Sequence, residues 1–305
     1  MHSMPETLFL LDSGDPAEYR EVASQAAKFD QKLWGSTTNP SLIAKKLTGK
    51  NVTLQEAFAF QKEIVLEILS LVPGAVSAEV YSDNQTTAEQ MVEQGRDIAS
   101  WDKRVFVKLP TTLAGLKART ELRKLKIPTN NTLVFSQEQI FAICLHEKLC
   151  QKEFGPLQNT WPTFISPFVG RLDDIGLDGM SLIKNGMEIK KTVGEDLWML
   201  EASVRKLEHI AIGIQDETEI ITAPKQLLLD WFALPEGEKS SLDLSSYRTE
   251  LKPIPLWSIP ENMRDIDSLD KFFSAIETGA LNIQHELTDK GITRFVEDWN
   301  KIISV

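Results

Sequence analysis

Short apolar runs recur along this chain, and nearly every one is followed by a stretch with helical spacing. Leu8-Phe9-Leu10-Leu11 reads as a buried strand. It closes at Asp12-Ser13-Gly14-Asp15-Pro16, where Asp15 can cap a helix that has Pro16 at its first position and runs through Val22, Ala26 and Phe29. Lys32 to Gly35 is a short second strand, and Asn39-Pro40 starts a helix through Leu42, Ile43 and Leu47. A long amphipathic helix covers Leu54 to Leu71 until Pro73-Gly74 breaks it. Val76 to Val80 is the third strand, followed by a helix from Thr86 to Ile98. Val105 to Lys108 is the fourth, with Pro110 expected to forbid a further ladder hydrogen bond and Thr111, Thr112 and Gly115 opening the next helix. Asn131 to Phe135 is the fifth, with Ser136 capping its helix. Thr163 to Ser166, Leu197 to Ala202 and Glu219 to Thr222 are the sixth, seventh and eighth. Helices follow the last two, from Val204 to Ile212 and from Pro224 through Trp231.

Buried strands that alternate with helices predict an α/β fold, a closed (β/α)8 barrel of the TIM type with additional C-terminal helices. An open doubly wound sheet would want a Gly-rich phosphate loop after its first strand, and Gly14 stands alone there. The barrel is expected over residues 1–234. Asp230 to Ile266 holds Pro235, Pro253, Pro255 and Pro260 without a clear period and reads as an extended crossing segment. Ile266 to Ile276 and Leu281 to Ile303 read as helices, so residues 235–305 are expected to be an irregular segment and then helices packed on the barrel as one domain.

Composition changes the picture in a few places. The chain has 305 residues, 42% hydrophobic and 25% charged, as a soluble globular protein does. No apolar run approaches the ~20 residues of a membrane span, and Met1 to Asp12 shows no signal-peptide pattern, so a cytoplasmic protein without a membrane partner is expected. The net charge of −11 argues against a nucleic-acid partner. It also means that an anionic substrate needs a local cluster of Arg or Lys. Cys144 and Cys150 fit no metal or disulfide pattern and read as reduced helix cysteines. His2, His146, His209 and His285 lack ligand spacing, and Asp173-Asp174 reads as a helix-cap pair, so no metal and no cofactor are expected.

At the C-terminal ends of barrel strands, where such folds carry chemistry, stand Asp12, Thr38 and Asn39, Glu79, Lys108, Asn130 and Thr132, Ser166 with Arg171 behind it, and Ser203 with Arg205. Each has an ordinary reading: a cap, a turn residue, a strand-end carboxylate, a snorkelling lysine, an Arg171 paired with Asp173 or Asp174, an Arg205 in a first helical turn. Polar groups at the same rim of so many strands make those readings jointly poor. A desolvated amine at such a rim can attack a ketone carbonyl and form a Schiff base. The iminium then serves as an electron sink for C–C cleavage. One carboxylate can take the proton of the departing hydroxyl, and the other can relay protons through water. Two arginines at neighbouring strand ends suit a phosphate.

The stretches Gly35 to Ile43 (GSTTNPSLI), Val105 to Ala118 (VFVKLPTTLAGLKA), Asn130 to Ser136 (NNTLVFS) and Ile165 to Arg171 (ISPFVGR) resemble transaldolases, with weaker agreement at Val76 to Val80 and Ala202 to Arg205. The agreement runs in order from Leu8 to Trp231, and nothing after Leu234 is recognisable. The resemblance implies a metal-free, Schiff-base-forming (β/α)8 transferase of the non-oxidative pentose phosphate pathway. Such an enzyme moves a dihydroxyacetone unit from sedoheptulose 7-phosphate or fructose 6-phosphate to glyceraldehyde 3-phosphate or erythrose 4-phosphate. Carried over by position, Lys108 looks like the Schiff-base lysine, Asp12 the acid/base for cleavage and Glu79 the water-relaying carboxylate. Thr132 would position the water. Thr38, Asn39 and Asn130 would face the dihydroxyacetone unit, Phe168 would lie beside it, and Ser166, Arg171, Ser203 and Arg205 would hold the phosphate. Related fructose-6-phosphate aldolases carry Gln for Glu79 and Tyr for Phe168, so both positions favour the transferase branch. The rival readings are an aldolase that releases dihydroxyacetone to water and a non-catalytic sugar-phosphate-binding barrel. The intact Lys108, Asp12 and Glu79 set argues against the second. The oligomeric state stays open, a homodimer being one option.

Overall fold

The computed structural model of this protein describes residues 7–194 and 197–303; residues 1–6, part of the stretch read as lacking a signal segment, lie outside them. Parallel strands β1 (Leu8–Asp12), β2 (Leu33–Thr37), β3 (Val76–Glu79), β4 (Val105–Pro110), β5 (Thr129–Val134), β6 (Phe164–Pro167), β7 (Trp198–Glu201) and β8 (Ile220–Ala223) close a barrel in chain order. The expected (β/α)8 architecture is the observed one. Around and beyond the barrel run α1 (Pro16–Lys28), α2 (Pro40–Lys46), α3 (Leu54–Leu71), α4 (Ala88–Ala99), α5 (Leu113–Lys124), α6 (Gln137–Phe154), α7 (Val169–Asp173), α8 (Gly179–Val193), α9 (Leu207–Gln215) and α10 (Lys225–Ala233). The C-terminal part adds α11 (Glu236–Ser240), α12 (Leu244–Glu250), α13 (Glu261–Arg264), α14 (Leu269–Glu277) and α15 (Glu286–Asn300). No helix among the described residues is long and apolar enough to cross a membrane.

Local chemistry accounts for many of the boundaries. Asp15 and Asn39 accept from the backbone N–H groups of Ala17 and Leu42 at 3.1 and 3.0 Å, each with proline at the first helical position. Thr53, Thr87 and Ser136 form capping boxes with Glu56, Gln90 and Gln139. Losing such a cap costs about 1 kcal/mol.

Helices cover the outside of the barrel, so its strands are buried on both faces. Side chains alternate between interior and exterior. Asp12, Thr37, Glu79, Lys108, Asn130, Ser166, Leu200 and Thr222 belong to the inward set. At the end where the strands begin, aromatic rings fill the interior. Phe106 stacks on Phe164 with centroids 4.1 Å apart, Phe164 stacks on Trp198 at 6.0 Å, and Trp34 meets Trp161 edge-on at 4.9 Å. Polar residues occupy the other end.

The structure corrects several expectations. β4 runs through Pro110, which pairs with Thr132, and the Thr111 N–H continues the ladder to the Thr132 carbonyl at 3.0 Å. Proline removes only its own donor, and the next residue's N–H is unaffected. α8 shows no cap pair at Asp173-Asp174: Asp178 caps it, while Asp173 ends α7 and accepts from Gly179 N–H at 3.1 Å. The helix after β7 starts at Leu207 and leaves Arg205 in a loop. The segment read as extended contains the end of α10 and all of α11, α12 and α13; its longest part without helix runs from Leu251 to Pro260. The Gln137 side chain grips that part at Pro255 O and Trp257 N, both at 2.8 Å, and Asn185 donates to Ile254 O at 2.8 Å. The last helix begins at Glu286 rather than near Leu281, with His285 as its cap. Cys144 and Cys150 are buried in α6 and are not joined in a disulfide.

Alternation points Glu201 outward, against α9. A Cβ at Gly213 would lie 2.0 Å from Glu201 Oε2, so only glycine fits there. Glu201 is fully buried, and neither carboxylate oxygen has a hydrogen-bond partner among the described residues. Burial, then the nearby Asp216 and Asp173, push its carboxyl well above the usual range. A folded-state pKa above the unfolded value means that its contribution to stability is full below the unfolded value, near 4.3, and is lost as pH rises toward the folded one. Glu201→Gln keeps the shape and removes the titration. The melting temperature of Glu201→Gln should therefore gain on the unmodified protein as pH rises above about 5, by roughly 1.5–2 °C for each kcal/mol recovered. A melting difference that stays constant with pH would refute this.

Candidate active site

At the polar end of the barrel, Glu79, Lys108 and Asn130 pair in one row across β3, β4 and β5. Lys108 is 3% exposed. Its Nζ donates to the Thr38 carbonyl at 3.0 Å and lies 3.1 Å from Glu79 Oε2, an ion pair whose angle falls outside hydrogen-bond geometry. Burial raises the Glu79 carboxyl above its ordinary value, opposed by the Lys108 ammonium.

Asp12 ends β1 opposite Thr37. Thr37 donates its hydroxyl to Asp12 Oδ1 at 2.8 Å, so the contact with the Thr222 hydroxyl at 2.7 Å has Thr222 as donor. Burial raises the Asp12 carboxyl, opposed first by Lys108 and then by the Thr37 hydrogen bond. Asp12 and Lys108 open on one cavity of about 180 Å³, which Asn39, Ser166, Phe168, Arg171, Ser203 and Arg205 also line.

The other predicted residues sit behind this wall. Asn130 donates to Ser77 Oγ at 3.0 Å and accepts from Ser166 Oγ at 2.6 Å. Thr132 is buried, and its hydroxyl has no partner among the described residues. The Thr38 hydroxyl turns away to the Ser77 carbonyl at 2.9 Å, so Thr38 meets the site only through its backbone oxygen. Asn39 uses Oδ1 to cap α2, which leaves its amide N–H groups for the cavity.

Arginines form the outer wall. The Arg171 guanidinium carbon lies 5.3 Å from the Phe168 ring centroid and 5.7 Å from that of Phe295. Burial, then Arg294 and Arg205, lower its pKa from the ordinary arginine value. Asp174 pairs with Arg205 and not with Arg171. Gly170 makes this corner possible, because a Cβ there would lie 2.3 Å from Ser203 O and 2.8 Å from Arg205 Cδ. Ser203 itself has φ +59°, a left-handed conformation that aims the chain back across Gly170. The Arg205 N–H donates to His209 Nδ1 at 3.3 Å, and His209 Nε2 donates to Asp173 Oδ2 at 2.9 Å.

Sequence reasoning missed Thr37, Lys45, Thr222, Arg294 and Phe295, which also reach the cavity. Thr222 stands near the end of β8, where the strand-end rule applied elsewhere would have found it. No local signal marks Arg294 and Phe295, because they come from α15.

The family model described as Transaldolase/Fructose-6-phosphate aldolase matches residues 9–305, well past the last recognisable motif. A "Probable transaldolase" of Heliobacterium modesticaldum is 30% identical over 294 residues, covering 96% of this chain and 98% of its own. One of Brevibacillus brevis is 37% identical over 227 residues, 74% of this chain and 91% of its own. The "Probable transaldolase 2" of Listeria monocytogenes is 36% identical over 231 residues, 76% of this chain and 91% of its own.

Proposed function

The chain belongs to the transaldolase/fructose-6-phosphate aldolase family, and we propose that within it this protein is a transaldolase that works through a Lys108 Schiff base. It carries a dihydroxyacetone unit from a ketose phosphate, fructose 6-phosphate or sedoheptulose 7-phosphate, to an aldose phosphate in the non-oxidative pentose phosphate pathway. The observation that carries the reading is one buried amine, held by Thr38 O and Glu79, which opens on the same cavity as Asp12, Arg171 and Arg205.

In this reading the Lys108 ammonium gives a proton to Glu79, 3.1 Å away, and the neutral amine attacks the C2 carbonyl of the donor. Glu79 relays protons through water while the carbinolamine loses water to give the iminium. Asp12 takes the proton of the C4 hydroxyl, the C3–C4 bond breaks, and its electrons move into the iminium to form an enamine. The aldose phosphate leaves. A second aldose phosphate enters, the enamine carbon attacks its aldehyde, and Asp12 returns the proton. Water then releases the product and regenerates the amine.

Asn39 and the remaining amide hydrogen of Asn130 hold hydroxyls of the three-carbon unit. Ser166 acts by fixing the Asn130 amide, and the unpartnered Thr132 hydroxyl positions the water. Arg171, Arg205 and Ser203 bind the phosphate.

The alternative within the family is an aldolase that hydrolyses the three-carbon imine directly. Phe168 favours transfer, because a phenyl ring cannot orient and activate a water by hydrogen bonding as a tyrosine hydroxyl could. Fructose 6-phosphate should therefore release glyceraldehyde 3-phosphate rapidly with erythrose 4-phosphate present and hardly at all without it. Phe168→Tyr should raise the ratio of cleavage to transfer. Equal release with and without acceptor in a coupled assay would make the protein an aldolase.

A further inference from the structure

We propose that Arg294, on α15, binds the substrate phosphate directly, so that the segment beyond the barrel supplies part of the pocket. For the identity of the substrate this rests on the reading above; for the anion it rests on geometry alone.

The helix α15 is moored on barrel elements toward both ends. Near its start, Thr288 donates to the Leu133 carbonyl of β5 at 2.8 Å and accepts from Gln139 of α6 at 3.0 Å. Near its other end, Asp298 accepts the Ser41 hydroxyl of α2 at 2.5 Å. Between these anchors Gly291, Arg294, Phe295 and Asp298 follow the i, i+3, i+4, i+7 spacing of a single helix face. That face lies along the mouth of the cavity, which Arg294 and Phe295 both line.

The same face shapes the surroundings of Arg171. A Cβ at Gly291 would come within 2.9 Å of Arg171 Nη1 and 2.6 Å of Leu133 Cδ2, so glycine leaves room for the guanidinium. Phe295 sets its ring under that guanidinium from α15 as Phe168 does from the barrel, a cation–π contact on both sides. Aromatic rings accept no N–H hydrogen bond in their plane, so the guanidinium keeps donors for a bidentate contact with an oxyanion.

Charge bookkeeping then singles out Arg294. Arg205 has Asp174 as partner. Asp298, one turn from Arg294, is taken by Ser41 and by Lys301 at 2.8 Å. Among the described residues neither Arg171 nor Arg294 has a carboxylate at ion-pair distance. Two guanidiniums without a direct carboxylate partner at one cavity repel each other, in a chain with a net charge of −11. The lowered pKa of Arg171, for which Arg294 is a cause after burial, reflects that repulsion. An anion seated between them removes it, and a phosphate offers enough acceptor oxygens for both.

The test is titration calorimetry with inorganic phosphate, together with kinetics on fructose 6-phosphate and erythrose 4-phosphate. The variants are Arg294→Ala, Arg294→Lys and, as a control for net charge, Lys301→Ala. Arg294→Ala should weaken phosphate binding roughly tenfold or more, the scale of one charge-assisted hydrogen bond. It should raise KM for fructose 6-phosphate by a similar factor, with a much smaller change in kcat. Arg294→Lys should recover part of both, and Lys301→Ala should change either by less than about twofold, as expected for an exposed charge. Using dihydroxyacetone as donor, the penalty in Arg294→Ala should be several-fold smaller.

The proposal is overturned if the unmodified protein does not bind phosphate or if Arg294→Ala binds it unchanged. It is overturned equally if Lys301→Ala loses as much, which would mean a long-range field, or if both donors suffer alike, which would mean a displaced helix. A protein that transfers no three-carbon unit, yet binds phosphate through Arg294, would refute the proposed reaction and leave this inference standing.

Discussion

Lys108→Met is expected to abolish turnover, with kcat/KM lower by on the order of 10⁴-fold or more, as when a covalent nucleophile is removed. Schiff-base chemistry has no route around the amine, and no other lysine shares its place in the inward set of the barrel. The change also leaves Glu79 buried without its counter-charge. Removing one partner of a buried pair can cost roughly 3–5 kcal/mol. Here burial already raises the Glu79 carboxyl, so it can take up a proton and soften that loss. Lys108→Arg provides the control, because it keeps the positive charge beside Glu79 yet forms no Schiff base. Both variants should retain the circular dichroism of the folded barrel, and neither should be tagged by borohydride in the presence of fructose 6-phosphate. Tagging at another lysine, or more than trace turnover in Lys108→Arg, would overturn the assignment.

The second large effect belongs to Asp12. A positioned general base contributes typically 10²–10⁴-fold, and Asp12→Asn should lose about that factor in transfer while still forming the iminium. The pH profile adds an independent readout. Asp12 must be ionised to take the C4 hydroxyl proton, and burial holds its carboxyl above the ordinary value despite Lys108 and Thr37. The acid limb of kcat/KM should therefore lie above the usual aspartate range, with activity falling as pH drops through that raised value. Thr37→Val removes the hydrogen bond that favours the charged form, so it should move the acid limb further up. An acid limb at the ordinary aspartate value, unmoved by Thr37→Val, would place the base elsewhere. Asp12→Asn trapped by borohydride as readily as the unmodified protein would separate cleavage from imine formation.

By itself the sequence determined the barrel and most of its polar rim. Parallel strands covered by helices are buried on both faces, so they must be short apolar runs, and such runs are visible without coordinates. Once they are counted and ordered, the residues at and just beyond the C-terminal end of each strand have their place by topology. That is why Lys108, Asp12, Glu79, Arg171 and Arg205 could be named from the chain alone. Tertiary structure decided what no local pattern encodes. The phase of β2 in the barrel turns Thr37 inward to Asp12 and Thr38 outward to the Ser77 carbonyl, a difference of one residue in register. The packing of Gly170 under Ser203 holds Arg205 in a loop where its periodicity suggested a helix. The course of α15 brings Arg294 and Phe295 to a cavity whose floor lies more than a hundred residues earlier in the chain. Helical spacing shows which face of α15 is apolar, but contacts that distant in sequence are chosen by shape and charge in the folded protein, and only there does the last helix become a wall of the site.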